Sequence, residues 1–455
     1  MKGHKIHFIQ KMSGIAILIL LVISITAPTL IPTNISAKVF TCEDALKYKR
    51  AYQMDISPDG KWIAYTVLVQ RKPTEEAGGL YSELYLVSVE TGEIRPYITG
   101  KVNVYQPRWS PDGSYIAFLQ RRGKGATQVW AIPTDGGEAF QVTNSETSIS
   151  KFRWSPDGSK IAYIATTPKS KKEKELEKKG YGFIYFEENI KSRNLYITDF
   201  NEDGTEGDVI QLTDTVAVWD FEFSPDGKKI AAAISPKNLV DHSYMFKKIY
   251  LIDIATKSRR RCSNNPGKLG NFAFSPDGKR IAYCAALERK DHAVSQAFVV
   301  DLKSKETRNL TPEKFRGHIN WVGWKDNKRI IYRADEGVWS TLTIVDIKGR
   351  NRNTLLNSKD FGGVFYSPSF SSDLKDFALI ITSPTIPGDV YYWKYGSKKV
   401  KRLTELNPWI KDRELGKQEV IRYKARDGLE IEGVIVYPVG YEAVSYTHLT
   451  LPTKA

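Results

Sequence analysis

Apolar and polar positions alternate along this chain in short runs, and one arrangement of them keeps returning. A large apolar residue (Ile56, Trp109, Trp154, Phe223, Phe274) is followed by the phrase Ser-Pro-Asp-Gly at 57–60, 110–113, 155–158, 224–227 and 275–278. Each phrase then leads into a large-small-large or large-small-small ending: Ile63-Ala64-Tyr65, Ile116-Ala117-Phe118, Ile161-Ala162-Tyr163, Ile230-Ala231-Ala232 and Ile281-Ala282-Tyr283. Two worn copies follow, Trp324-Lys325-Asp326-Asn327 into Ile330-Ile331-Tyr332, and Phe370-Ser371-Ser372-Asp373 into Phe377-Ala378-Leu379. Ser, Pro, Asp and Gly in that order suit a type I turn, because Pro pre-sets its φ and Asp can bond the local backbone. Period-two alternation on both sides of such a turn predicts a β-hairpin. Alanine on the alternate positions, where a solvated strand would carry lysine, implies that both faces are covered.

A second hairpin completes most of these units. Leu84–Val87 turns at Thr91-Gly92 and returns at Tyr97–Thr99, and Val129–Ile132 turns at Asp135–Gly137 and returns at Gln141–Thr143. Four short strands recurring about every 50 residues mark a repeat architecture. The expectation is an all-β chain forming a seven-bladed β-propeller, in which small residues let neighbouring sheets pack closely. A β-solenoid or a pair of sandwiches accounts less well for units that each carry a full four-strand pattern.

The remaining segments fall outside that rhythm. Residues 1–37 combine Lys2, Lys5 and Lys11 with the apolar run Gly14–Ala27 and small residues at Ser36-Ala37, the layout of a secretory signal peptide. Export to a periplasmic or extracellular location, with no stable membrane span after cleavage, is the consequence. Thr41 to Leu46 carries the signature of a short capped helix. The Lys- and Glu-rich stretch Lys169–Lys179 reads as an exposed helix or arm inserted between the third and fourth turns. After residue 415 the texture changes, and Val420–Lys424, Asp427-Gly428 and Ile431–Tyr437 form a hairpin without the repeat phrase.

Charge and chemistry narrow the picture a little further. The formal charge is +15, but the Lys and Arg are scattered through turns and no nucleic-acid-binding signature accompanies them. Arg259-Arg260-Arg261 is read as a solvated outer edge, where charge discourages edge pairing. Cys42, Cys262 and Cys284 offer no metal-ligand spacing and no disulfide framework, although a single 262–284 bridge is conceivable. No cofactor or metal is called for. Glu187-Glu188, after the aromatic run 183–186, is the one candidate recognition element, with an ordinary strand and solvated turn as the competing reading.

The repeat phrase, together with Ser367–Phe370, Ser383-Pro384-Thr385, Leu403–Trp409 and especially Arg426–Gly433 leading to Pro438–Tyr441, resembles the prolyl oligopeptidase (S9) family of serine peptidases. The likeness is greatest to its secreted acylaminoacyl-peptidase and dipeptidyl-peptidase-like members. That resemblance implies a propeller at 38–415 that gates short peptide substrates, and the opening strands of an α/β-hydrolase domain at 416–442. It also implies that a pair of acids such as Glu187 and Glu188 could hold the free α-amine of a peptide. The family's catalytic serine would sit in a G-x-S-x-G elbow, and no such motif occurs in the chain. No catalytic residue is therefore assigned, and the hydrolase domain itself is an expected partner that the sequence does not contain. The tail 443–455 fits neither domain and reads as non-native. Ser-Pro-Asp-Gly repeats also occur in TolB-like periplasmic propellers, so a non-enzymatic envelope protein that binds proteins or peptides is the alternative.

Overall fold

The structure, a computed structural model, describes residues 38–182 and 187–441. The expected leader 1–37, the tail 443–455 and the aromatic run 183–186 lie outside the described residues. After β1 (Lys38–Val39) the chain forms successive antiparallel units, four-stranded except for the five-stranded last, and one parallel pairing of Arg193 with Ala217 joins the third and fourth into a single sheet. The first is β2 (Arg50–Ile56), β3 (Trp62–Val69), β4 (Tyr81–Ser88) and β5 (Ile94–Ile98). The second is β6 (Val104–Trp109), β7 (Tyr115–Gln120), β8 (Gln128–Pro133) and β9 (Phe140–Gln141). The third is β10 (Ile149–Trp154), β11 (Lys160–Thr166), β12 (Arg193–Asp199) and β13 (Val209–Gln211). The fourth is β14 (Ala217–Phe223), β15 (Lys229–Ser235), β16 (Lys248–Asp253) and β17 (Arg259–Arg261). The fifth is β18 (Leu269–Phe274), β19 (Arg280–Ala286), β20 (Ser295–Asp301) and β21 (Thr307–Asn309). The sixth is β22 (His318–Asp326), β23 (Arg329–Glu336), β24 (Trp339–Asp346) and β25 (Asn353–Asn357). In the last, β26 (Val364–Phe365) and β27 (Ser369–Phe370) both pair with β28 (Asp376–Ser383), followed by β29 (Ile386–Lys394) and β30 (Lys401–Arg402). Then come β31 (Arg413–Glu414) and a separate hairpin of β32 (Gln418–Lys424) and β33 (Glu430–Val436).

Each repeat phrase is the turn between the first two strands of its unit, and its chemistry is the same every time. In the third unit Ser155 Oγ donates to Asp157 Oδ1 at 2.6 Å and accepts from the Lys160 amide, while Asp157 Oδ1 also accepts from the Ser159 amide. The Gly158 amide closes the turn on Ser155 O at 3.0 Å. One hydroxyl and one carboxylate thus satisfy the backbone of a turn too tight to satisfy itself. The worn copy in the last unit keeps this network through Ser371 and Asp373.

The units pack face to face. The small residues in the second strands, Ala64, Ala117, Ala162, Ala231, Ala282 and Ala378, are fully buried. Separate apolar clusters fill the spaces between consecutive units. Leu84 and Ile116 meet between the first and second, Ile197 and Phe221 between the third and fourth, and Ile331 and Phe377 between the sixth and last. A further cluster joins the last unit to the first, where Ile380, Val390 and Leu403 pack on Met54, Ile63 and Tyr65. The turns also touch along one rim. The Gly158 position faces Pro111, Gly227 faces Pro156 and Gly278 faces Pro225. Asn327 accepts from the Asp277 amide, Lys325 Nζ donates to Leu374 O, and Ser372 N donates to Pro58 O. Gly60, at φ +75°, has the Asp376 carboxylate 2.8 Å from where a Cβ would sit, so this junction requires glycine.

Among the described residues no N-terminal strand joins the last sheet. The ends are held instead by a clasp outside the repeats. β1 pairs in parallel with β31, and Phe40 stacks on Trp409 at 6.0 Å. Asp44, which is buried, receives both guanidinium arms of Arg413 at 2.7 and 3.1 Å. Asn407 exchanges two hydrogen bonds with the Lys49 backbone. The helix Cys42–Ala45 is capped by Thr41 with the reciprocal Asp44 bond, as the sequence implied. The inserted helix Lys171–Lys178 is capped by Ser170 in the same way. Cys262 and Cys284 are both free thiols, so the conceivable bridge is not made; Cys284 is buried inside β19. Among the described residues no helix is long and apolar enough to cross a membrane.

Candidate functional site

The first strand of each unit lines a common cavity of about 630 Å³. The register of the repeat decides what points into it. The residue just before the apolar position that precedes each turn is Asp55, Arg108, Arg153, Glu222, Ala273, Gly323 and Ser369 in order, and all of them line the cavity. Four consecutive units therefore contribute charge, and the other three contribute small side chains.

The charged half is a connected network. Asp55 accepts from the Trp109 amide at 3.0 Å and from Ser369 Oγ at 2.7 Å, and lies 3.7 Å from Arg108. One carboxylate thereby ties three units together. Burial holds its pKa above the ordinary carboxylate value in spite of Arg108, and burial also pulls the Arg108 pKa down. Asp220 is 2.7 Å from Lys151 and 3.5 Å from Arg153. Burial works against its charge, but these two cations hold its pKa below the ordinary value. Glu222 has no such close partner, and burial pushes its carboxyl up to about 7. Arg153 keeps a buried Nε without a hydrogen-bond partner among the described residues.

The opposite wall is aromatic. Trp321 and Phe370 meet edge to face at 5.9 Å. Gly323 makes this possible, since a Cβ there would lie 2.6 Å from the Trp321 ring. The cavity offers ion-pairing groups on one side and flat apolar surface on the other, which suits a ligand that carries both charged and apolar groups.

Among the described residues no histidine lines the cavity. Of the histidines, His318 accepts from the Ser295 amide through Nδ1, and burial lowers its pKa. His242 accepts from the Lys237 amide. Among the described residues no group of side chains could hold a metal ion.

The sequence candidates Glu187 and Glu188 lie elsewhere. Both are exposed and occupy a turn following the inserted helix, with Glu187 at φ +55°. They are not on a strand, so the alternation that would send neighbouring acids to opposite faces does not apply. The insertion leaves β11 at the end opposite its repeat turn and is tied down by Lys191–Glu173 at 2.6 Å and by Asn238 to Lys191 O at 3.0 Å. The β23–β24 turn, where the Val338 amide reaches Glu432 of β33 at 3.4 Å, is likewise opposite its unit's repeat turn. Insertion and hairpin thus occupy the same face. Among the described residues no contact joins the Glu187–Glu188 pair to the axial belt. Sequence reasoning missed the belt itself. Its signal was present as a charged residue two places before the turn serine in four successive repeats.

No family model matches the chain. It is 28% identical to dipeptidyl-peptidase 5 of Porphyromonas gingivalis, over 66% of this chain and 47% of that protein. It is 25% identical to the uncharacterized peptidase YuxL of Bacillus subtilis, over 89% of this chain and 64% of that protein. The chain therefore spans about half to two thirds of the curated relatives it matches. Among solved structures it superposes on the Pyrococcus horikoshii acylaminoacyl peptidase with TM-score 0.64 at 15% identity, covering 87% of this chain and 58% of that one. It also superposes on the β-propeller domain of the Trilobed protease from Pyrococcus furiosus, described as having an open velcro topology, with TM-score 0.56 at 14% identity. That match covers 79% of this chain and 99% of that one. The two relatives are S9-family peptidases and the chain shares a fold with propeller-bearing peptidases, which together are consistent with the propeller region of an S9 peptidase.

Proposed function

We propose that the chain is a seven-bladed β-propeller acting as the substrate-gating domain of an exported serine peptidase that hydrolyses short peptides. On this reading residues 1–37 are the signal peptide, 38–415 the propeller and 416–442 the first strands of an α/β-hydrolase domain. The observation that carries it is the β32–β33 hairpin. It follows the repeats, rests on the sixth unit through Glu432, and leaves Val420, Leu429, Val434 and Val436 exposed. A stand-alone propeller has no use for such a hairpin, whereas the first strands of a larger sheet need that apolar edge. The axial belt would then select peptides by charge on their way to the domain interface, and Glu187 and Glu188 would act from the face on which the hairpin sits. The alternative, a non-enzymatic TolB-like envelope propeller, keeps the belt as a peptide- or protein-binding site and gives the hairpin no role.

The test is made in a protein that carries the hydrolase domain after residue 442. Such an enzyme should cleave short peptides and leave folded proteins intact. Glu187→Gln or Glu188→Gln should raise KM about tenfold for dipeptide substrates with a free amine, because a charge-assisted bond is lost, and should change N-blocked substrates little. Equal effects on both substrate classes would return these acids to a solvated turn, and cleavage of folded proteins would remove the gating role.

A further inference from the structure

A second cavity, of about 540 Å³, lies at the periphery of the fourth unit, away from the axial belt. Strand register explains what lines it. In the β16–β17 pair Arg261 stands opposite Tyr250, Arg260 opposite Leu251 and Arg259 opposite Ile252. Residues opposite one another on paired strands share a face of the sheet. Leu251 packs toward the fifth unit, and Arg260 follows it there, donating to Leu302 O at 3.0 Å. Tyr250 and Ile252 pack toward the third unit, and Arg259 and Arg261 follow them to the other side. There the two arginines line the cavity with Lys248, His242, Phe246 and Tyr250. All three arginines are exposed, as the solvated-edge reading expects, and two of them also join a lysine at one cavity.

The site is short of negative charge. No carboxylate lines it. Lys248 donates to Asn265 O and Arg261 to Asn264 Oδ1, both neutral oxygens. Among the described residues Lys248, Arg259 and Arg261 make no ion pair; the neighbouring Asp214 accepts from the Thr215 amide. A fourth cation is close by, with the Arg289 guanidinium 5.2 Å from the centre of the Phe246 ring. Burial, Arg261 and Arg289 together pull the Lys248 pKa below the ordinary lysine value. His242 Nδ1 accepts from the Lys237 amide, which leaves Nε2 as the nitrogen able to donate. Three cations, a further donor and two aromatic rings converge in a space of the size that small-molecule sites occupy, roughly 300–1,000 Å³.

We infer that this cavity binds a small ligand bearing a dianionic phosphate monoester, with Lys248, Arg259 and Arg261 on the phosphate and the organic part against Tyr250 and Phe246. Arginine forks match phosphate oxygens in pairs, which favours phosphate over a single carboxylate. The inference does not depend on the peptidase reading.

Calorimetric titration of the full chain with phenyl phosphate, at constant ionic strength, should give saturable one-to-one binding tighter than that of inorganic phosphate and far tighter than that of acetate. Affinity should rise as pH passes about 6, where the monoester takes its second charge. Arg259→Gln with Arg261→Gln should weaken binding at least about tenfold, Lys248→Met should weaken it as well, and Arg260→Gln should leave it unchanged. Absence of saturable binding, acetate binding as tight as phenyl phosphate, or an equal loss in Arg260→Gln would overturn the proposal. Sedimentation with phosphatidic acid vesicles separates the two sources of such a group. Binding that the double substitution abolishes identifies a lipid headgroup, and binding of phenyl phosphate without vesicle binding identifies a soluble ester.

Discussion

Leu374 occupies the place that glycine holds in the intact repeat phrase, and it adopts φ +57° there. A branched-side-chain L-residue in the left-handed region costs about 1–2 kcal/mol, and glycine avoids that cost at some loss of chain entropy. Leu374→Gly should therefore stabilise the protein by about 0.5–1 kcal/mol, read as a higher urea midpoint with an unchanged m-value. A lower midpoint would mean that the side chain's packing beside the axial cavity outweighs its backbone strain. Glu222 carries a different signature. Its carboxyl titrates near 7 in the folded state and near 4.5 in an unconstrained chain, because burial disfavours its charge. Between these values the folded state holds the extra proton. Stability from this group is thus intact below pH 4.5, falls as pH rises to 7 and stays lower above. The decline should be about 2 kcal/mol, allowing for its partial exposure, and Glu222→Gln should flatten it. Chemical denaturation at several pH values measures both curves; parallel curves for the two proteins would refute the assignment.

The β32–β33 hairpin is the element least integrated with the rest. Among the described residues its two strands pair only with each other, and Val434 and Val436 are 50% and 60% exposed. Deleting residues 415–455 should leave the main thermal transition within about 2 °C, since few buried contacts of the described hairpin are lost. It should also improve solubility, because an apolar unpaired edge promotes aggregation. A large loss of stability would show that the hairpin is part of the repeat assembly. The repeat hairpins behave in the opposite way. Each shares its apolar faces with two neighbours, so none can be removed without exposing two clusters. The Trp109 and Trp324 indoles reinforce these junctions by donating to Asp55 O and Ala273 O on the preceding unit, at 3.0 and 2.9 Å.

The molecule as a whole is bounded by the junction of its first and last units. Among the described residues no β-strand crosses it, and apolar packing and the clasp hold it together. Arg413 joins the buried Asp44 to the far end of the chain, and the Asp44 pKa is held well below the ordinary value chiefly by that guanidinium. Arg413→Gln should lower the unfolding temperature at pH 7. It should also raise amide exchange selectively in β2 and β28, by about tenfold relative to β10 and β14, since local opening follows the weakest boundary. Uniform exchange across all units would show that the clasp does not guard this junction. The Asp44 carboxylate adds stability above its unfolded value and loses it as pH falls, so the difference between the two proteins should shrink in acid.

Short-range chemistry was legible in the chain itself. The Ser-Pro-Asp-Gly network spans six residues, the strand alternation spans eight, and the caps at Thr41 and Ser170 span four, so each is written where it acts. Repetition of those local patterns about every 50 residues was enough to expect a ring of like units. The axial belt, the Arg259–Arg261 cavity and the clasp were not legible in the same way. Each depends on side chains brought together by packing between units, such as Asp55 meeting Ser369 and Lys49 meeting Asn407 across 358 positions. The acids at 187 and 188 show the same limit. Their pattern left a recognition pair and a solvated turn both open, because the conformation of an inserted loop follows from what anchors its ends, here Lys191 and Asn238. Local hydrogen bonds and period-two burial are properties of a few consecutive residues, whereas charge pairing in a shared cavity is a property of distances that exist only once the units have packed.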